Sequence, residues 1–304
     1  MSYNARIVLD SINDYGQRLT TMEWTYPRFI HAEIMTHRDR ARNAASSRAI
    51  PWAKMKEAVS SNPVVPIAWG IEKPGMQTGE PLPPHLADLA ESLWVKASKI
   101  MLEYADAIHN IGATYDALER NGCILGENDF NNIPLNMTSD PSIKVHKSLP
   151  NRLVEPWMWI TVIMTATEWE NLWRLRVHPD AEIHFQKIAG LAKDALESSI
   201  PKALPFGDWH LPYITDEEKE QFGWSHPILR KASTARCARV SYKTHDGEAN
   251  IGKDCALFDK LCAGSGFGHW SPHEHVAMSS TPDTRSGPFR GYIQYRKLFA
   301  KECG

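Results

Sequence analysis

The five cysteines of this chain (Cys123, Cys237, Cys255, Cys262, Cys303) are odd in number and include no Cys-x-x-Cys pair. That pattern offers neither a disulfide framework nor a zinc ribbon, and reduced thiols are expected. Long apolar runs are lacking too. The most apolar stretch, Trp157 to Ala166, is too short to span a bilayer and passes directly into Glu168 and Glu170. Neither sign of charge is in excess: 34 basic against 36 acidic side chains leave a net charge of −2, unlike a surface built for long nucleic acid. The segment Met1 to Arg6 shows no charged-then-apolar leader, so a cytoplasmic location is expected. No internal repeat or low-complexity tract is evident.

What is present is an ordinary globular composition, 42% hydrophobic and 23% charged over 304 residues, enough to bury a sizeable core. A single domain over 1–304 is expected. Eleven tryptophans are many for this length; they serve as core or interface anchors, and flat rings also suit a site that stacks isoalloxazine, pterin or base. The densest chemistry lies between Thr36 and Arg48, where thirteen residues hold four arginines, a histidine and two serines. Arginine grips phosphate bidentately, and hydroxyls with exposed backbone N–H groups complete such a cradle. A small phosphate-bearing ligand fits this local positive cluster better than a polymer does, although a solvated basic helix face would carry the same residues.

Along the chain, 5–38 reads as a strand pair with a turn at Asn13-Asp14-Tyr15-Gly16, its second segment running through Phe29 to Met35. Residues 59–84, rich in Pro and Gly, predict an irregular ordered loop. A helix starting at Pro84 and ending near Gly112 has Leu86, Leu89, Leu93, Ala97, Ile100, Met101, Tyr104 and Ile108 as a core-facing stripe. Residues 121–144 have no periodicity and read as an inserted loop. A long helix from about Glu155 to Arg176 and a shorter one from Asp180, a plausible N-cap, to Leu196 follow. A Pro- and Trp-containing connection covers 199–228. Beyond it come Ala238-Arg239-Val240-Ser241-Tyr242 as a short strand, a helix near Lys253 to Cys262, and Gly268 to Val276. The balance is α+β.

His37-Arg38, Asn43, Ser46 and Arg48 resemble the signature of the flavin-dependent thymidylate synthases, Arg-His-Arg, seven residues, Ser, one residue, Arg. Two further segments are similar to that family's motifs: Asn171-Leu172-Trp173-Arg174-Leu175-Arg176, and His269-Trp270-Ser271-Pro272-His273-Glu274-His275. The resemblance implies an antiparallel sheet packed with long helices. It also implies FAD, NADPH and methylenetetrahydrofolate as cofactor and co-substrates, a homotetramer with sites at subunit interfaces, and dUMP converted to dTMP without a cysteine nucleophile, in a bacterial or phage-infected cell. Carried over by position, it gives Thr36, His37, Arg38, Asn43, Thr165, Asn171, His269, Ser271 and Glu274 to the flavin side. Glu33, Ser46, Ser47, Arg48 and Arg176 go to the nucleotide. Arg176 is the activating residue, a fixed guanidinium stabilising negative charge on the pyrimidine.

The motif order differs from the family's: the Ser-Pro-x-Glu-His segment and the Ala-Arg-Val-x-Tyr strand follow the arginine cluster instead of preceding it, as a circular permutation would produce. Four positions also depart. Thr36 stands for an arginine, Ala44 for a glutamate, Ala49 for an aromatic residue, and Glu33 for a nucleotide-facing glutamine. An ionised Glu33 accepts hydrogen bonds but cannot donate, which favours the amino group of cytosine over O4 of uracil, unless it pairs with a nearby arginine. Alternatives are therefore a C5-hydroxymethylase or methylase acting on dUMP, dCMP or UMP, a metal-dependent hydrolase built on His269, His273, Glu274 and His275, and a nucleic-acid module using Arg38, Arg40, Arg42 and Arg48.

Overall fold

A computed structural model describes residues 1–121, 140–240, 250–263 and 268–299. Where the sequence reads as one domain, the chain divides into two compact units. One comprises Met1–Tyr26, Ile30–Ala45 and Ile160–Gly304; the other comprises Pro27–Phe29 and Ser46–Trp159.

The larger unit begins with an antiparallel hairpin, β1 (Asn4–Asn13) and β2 (Arg18–Pro27). Its turn is the predicted one: Asn13 Oδ1 accepts from the N–H groups of Tyr15 and Gln17, and Gly16 takes the left-handed conformation at φ 79°. The chain then departs from expectation. Phe29 to Met35 is not strand but a 3-10 turn (Arg28–Ile30) leading into a one-turn helix, α1 (His31–Ile34), with Ile30 and Ile34 buried. After the arginine loop, β3 (Ala41–Ala44) pairs antiparallel with β4 (Trp159–Ala166).

β4 corrects the long helix expected over 155–176. The buried run Ile160-Thr161-Val162-Ile163-Met164-Thr165 is β-branched at five of its six positions, which suits a pleated interior strand. Only Glu170–Arg176, α6, is helical. The next helix, α7 (Ile183–Glu197), is capped by Glu182, whose carboxylate accepts from the Phe185 N–H; Asp180 is not the cap. A short strand β5 (Lys202–Leu204) pairs parallel with β1, completing a five-stranded sheet ordered β3-β4-β2-β1-β5. Met22, Trp24, Tyr26, Ile160, Val162 and Met164 from the sheet pack with Leu172, Phe185, Ile188 and Ala192 from the helices.

The rest of this unit holds β6 (Trp209–His210), α8 (Asp216–Phe222), α9 (Pro227–Arg239), α10 (Ile251–Ala263), β7 (Ala277–Ser279), the two-residue strands β8 (Arg285–Ser286) and β9 (Phe289–Arg290), and β10 (Tyr292–Gln294). β10, β7 and β6 form a second small sheet. Ala238 and Arg239 end a helix instead of starting a strand, while Ser241 and Tyr242 lie outside the described residues. Ser271–His275 is a 3-10 turn.

The smaller unit is helical: α2 (Trp52–Ser61), α3 (Pro84–His109), α4 (Ile111–Asn121) and α5 (Ser148–Leu153), with the irregular segment 62–83 as expected. Tryptophans pin it. Trp94 Nε1 donates to the Val64 carbonyl, Trp157 Nε1 to the Trp94 carbonyl, and Trp52 Nε1 to Asp106. The expected core stripe of α3 needs correcting. Leu86, Leu89, Leu93 and Ile100 are 42%, 55%, 57% and 39% exposed; the packed line is Trp94, Ala97, Met101, Leu102 and Ala105, rotated by roughly one residue's 100° around the helix. The inserted loop expected at 121–144 falls mostly outside the described residues, which resume at Asp140. Among the described residues no helix is long and apolar enough to cross a membrane.

Candidate functional site

The arginine cluster folds as a tight loop between α1 and β3. Backbone bonds from Thr36 N to Glu33 O and from His37 N to Ile34 O close its first turn, and the Thr36 hydroxyl also donates to the Glu33 carbonyl. Thr36 is thus committed to local structure. Arg42 Nη1 then donates to the carbonyls of Met35 (2.7 Å) and His37 (2.9 Å), cross-linking the loop from the adjoining strand.

His37 points inward from this loop. Its Nε2 accepts from Arg176 Nε at 2.8 Å, across 139 residues of sequence. Both lie on Phe185: the imidazole meets the ring edge-on with centroids 5.6 Å apart, and the guanidinium carbon sits 4.8 Å from the ring centroid. An Nε2 that accepts belongs to a neutral imidazole. Burial brings the His37 pKa down to about 4, and Arg40, Arg176 and Arg42 push the same way against Asp39 alone. With Nε so engaged, the terminal nitrogens of Arg176 make no hydrogen bond with a described residue, leaving a fork free for a planar acceptor.

Arg40 is the least expected residue here. It is 3% exposed, and none of its three guanidinium nitrogens has a hydrogen-bond partner among the described residues. Its Cζ lies 5.1 Å from the Trp169 ring centroid. Desolvation lowers its pKa to about 10, opposed by Asp39 and reinforced by Arg42. A buried cation without hydrogen bonds is costly and points to an anion that completes it. Trp169 continues into a stack, with Trp173 5.5 Å away at an interplanar angle of 9° and Trp24 6.2 Å from both.

The third motif reaches the same unit differently. Glu274 pairs with Arg296, its carbonyl accepts from Gln294 Nε2, and its charge attracts Arg42. His275 is buried; its Nδ1 bonds Thr165 Oγ1 at 2.8 Å, Thr165 bonds Thr21, and Thr21 bonds His210 Nε2, whose Nδ1 bonds Ser11. This chain corrects the cofactor contact expected of Thr165: the residue is fully buried, and its hydroxyl is consumed inside the core.

Other expected site residues are more dispersed. Asn43 Nδ2 donates to the Cys237 carbonyl at 3.0 Å. Asn171 is exposed and accepts from Arg174 on its own helix. Arg38, His269 and Ser271 are exposed. Glu33 is exposed, and its carboxylate makes no ion pair with a described residue, so the pairing weighed from sequence is absent there; desolvation and the Glu182 carboxylate raise its pKa, opposed by Arg176 and His184. Glu182 itself, although burial works against it, is held below the usual carboxylate range by His184 and the Phe185 N–H. Ser46, Ser47 and Arg48 belong to the smaller unit, where Asn151 donates to the carbonyls of Ser47 and Ile50.

Sequence reasoning missed Arg40, Trp169 and Glu182 as members of this corner. Arg40 lay in the cluster, but its spacing does not mark it as the inward arginine. Among the described residues no group of three or more His, Cys, Asp or Glu side chains converges as a metal would require; His269 is exposed while His273 and His275 are buried. No family model matches this chain, and no curated protein is significantly similar to it.

Proposed function

We propose that the corner formed by His37, Arg40, Arg176 and the tryptophan stack binds phosphate-bearing and planar ligands, and that the chain performs flavin-dependent transfer of a one-carbon unit to C5 of a pyrimidine deoxynucleotide, dUMP giving dTMP. The hydrogen bond from Arg176 to His37 carries this reading. Two motifs chosen for resemblance to one family, far apart in sequence, meet side chain to side chain in a field of positive charge.

The residues fit such ligands. Arg40 supplies a desolvated cation without a hydrogen-bond partner, suited to a phosphate oxygen. Trp169, which the guanidinium faces, is buried and stacked on the half-buried Trp173. Bound FAD, reduced by NADPH, would supply the electrons, while methylenetetrahydrofolate supplies the carbon. His37, neutral at working pH, orients the Arg176 guanidinium through Nε. The free end of Arg176 then faces the pyrimidine and stabilises negative charge that develops on the ring.

No described cysteine is poised to act as nucleophile. Burial raises the thiol pKa of Cys237, Cys255 and Cys262 alike. The unpaired Glu33 favours a second reading within the class, in which dCMP or UMP is the acceptor or the product is hydroxymethylated.

The test incubates wild type and Arg176→Ala with FAD, NADPH, methylenetetrahydrofolate and either dUMP or dCMP, following tritium release and product mass. Wild type should form dTMP, and the variant should turn over about 100- to 1000-fold more slowly, the usual cost of one charge-stabilising donor. Equal turnover refutes the role of Arg176. Failure of added FAD to bind refutes the class.

A further inference from the structure

We infer that the exposed face of α3 is an interface on which a second copy of this chain docks through its own α3, the two helices running antiparallel. The inference stands apart from the flavin reading, because it rests on the smaller unit alone. Leu86, Leu89, Leu93 and Ile100 form a stripe about 21 Å long at 1.5 Å per residue. Successive members are three, four and seven residues apart, the spacing of a helix–helix seam.

The charges beside the stripe select the partner. One flank carries His85, Asp88, Ser92, Lys96, Lys99 and Glu103 in order. In a two-fold antiparallel pair, residues facing each other have position numbers with a constant sum. A sum near 186 sets Leu93 against its own copy, Leu86 against Ile100 and Leu89 against Ala97. At almost the same register, Asp88 meets Lys99 and His85 meets Glu103. The flank that faces its own copy is therefore complementary end to end. A parallel two-fold pair would set this charged flank against the opposite flank of its copy, that of Trp94, Ala97 and Met101, which is apolar and packed, leaving Asp88, Lys96, Lys99 and Glu103 without partners. A face that is apolar at its centre and self-complementary only under a two-fold axis suits an isologous homodimer contact.

The test is sedimentation equilibrium of the full chain as wild type, Asp88→Lys, Lys99→Asp, the double swap and Leu93→Lys, with far-UV circular dichroism confirming that each is folded. Wild type should associate. Each single swap places two like-charged pairs in the contact and should weaken association about tenfold or more. The double swap should restore it, and Leu93→Lys should abolish it. A monomeric wild type, single swaps that associate normally, or a double swap as weak as the singles would each overturn the antiparallel contact. The double swap is decisive, since a general effect of surface charge would not be cancelled by the second change.

Discussion

Arg40→Met should stabilise the ligand-free protein while destroying its response to anions, the opposite of what truncating a buried arginine usually does. The guanidinium is buried without a hydrogen bond to any described residue, and desolvation pulls its pKa some two and a half units below the ordinary arginine value, down to about 10. At 1.36 kcal/mol per unit this is about 3 kcal/mol of penalty on the folded state. At pH 7 the group is protonated both folded and unfolded, so the penalty is carried in full, and it is relieved only as pH rises from about 10 toward 12.5. The contact with Trp169, itself buried, returns about 2 kcal/mol. Methionine is unbranched and packs well against an aromatic ring, so the net gain is about 1 kcal/mol, or roughly 2 °C in Tm for a chain of this size.

An anion bound at Arg40 reverses the order, because ligand at 100 times its Kd stabilises the protein that binds it by about 2.7 kcal/mol. Calorimetry of wild type and Arg40→Met, without ligand and with FAD or pyrophosphate, reads both effects. Arg236 is the internal control. It is buried too, but its fork is bidentate to Glu218 and its Nε donates to Asp254 at 2.9 Å. Arg236→Met takes the guanidinium from the half-buried Glu218 and from the buried Asp254, which keeps Arg239 as an ion-pair partner, and should cost about 3 kcal/mol. If Arg40→Met instead lowers Tm without ligand, or if FAD raises both proteins equally, Arg40 is not an anion site.

Acid should unfold the protein early. His37 and His273 are held down to a pKa of about 4, and His210 and His275 to about 3, in each case chiefly by burial. Each is neutral when folded, so its contribution is intact above the unfolded value of 6.5 and falls away between 6.5 and those values, by up to about 1.4 kcal/mol per pH unit. Four together should bring the midpoint near pH 5 by circular dichroism, and His210→Gln should move it lower; an unmoved midpoint would contradict the assignment. Thr165→Val removes the bridge between Thr21 and His275 and should cost about 1–3 kcal/mol. FAD affinity should stay unchanged in that variant, and a loss of flavin binding in the folded protein would return Thr165 to the cofactor.

What the sequence made legible was local. The Asn13–Gly16 turn, the helix start at Pro84 and the irregular 62–83 segment follow from side-chain capping, proline and glycine, which act within a few residues. The run from Trp159 to Ala166 misled because a continuous apolar stretch fits a buried helix as well as a central strand. Its β-branched residues were the available signal. The stripe on α3 was recognised, but periodicity identifies a face without saying what covers it. At the site, motif spacing brought His37 and Arg176 to one place on resemblance alone. It could not identify Arg40, because the inward side chain is chosen by the turn that Thr36 and Arg42 impose.

The cluster's arginines differ by what their forks already hold. Arg42 is spent on the carbonyls of Met35 and His37, so it shapes the loop. Arg40 holds nothing by hydrogen bond and carries a desolvation cost. Arg176 is anchored through one nitrogen by an imidazole that burial, reinforced by the neighbouring arginines, keeps neutral. A protonated His37 could not accept that bond and would repel all three arginines. The field that would attract an anion therefore adds to burial in keeping neutral the histidine that holds Arg176. Discharging the field by removing Arg40 should thus raise the His37 pKa and loosen Arg176, coupling Arg40 to Arg176 through electrostatics rather than through contact.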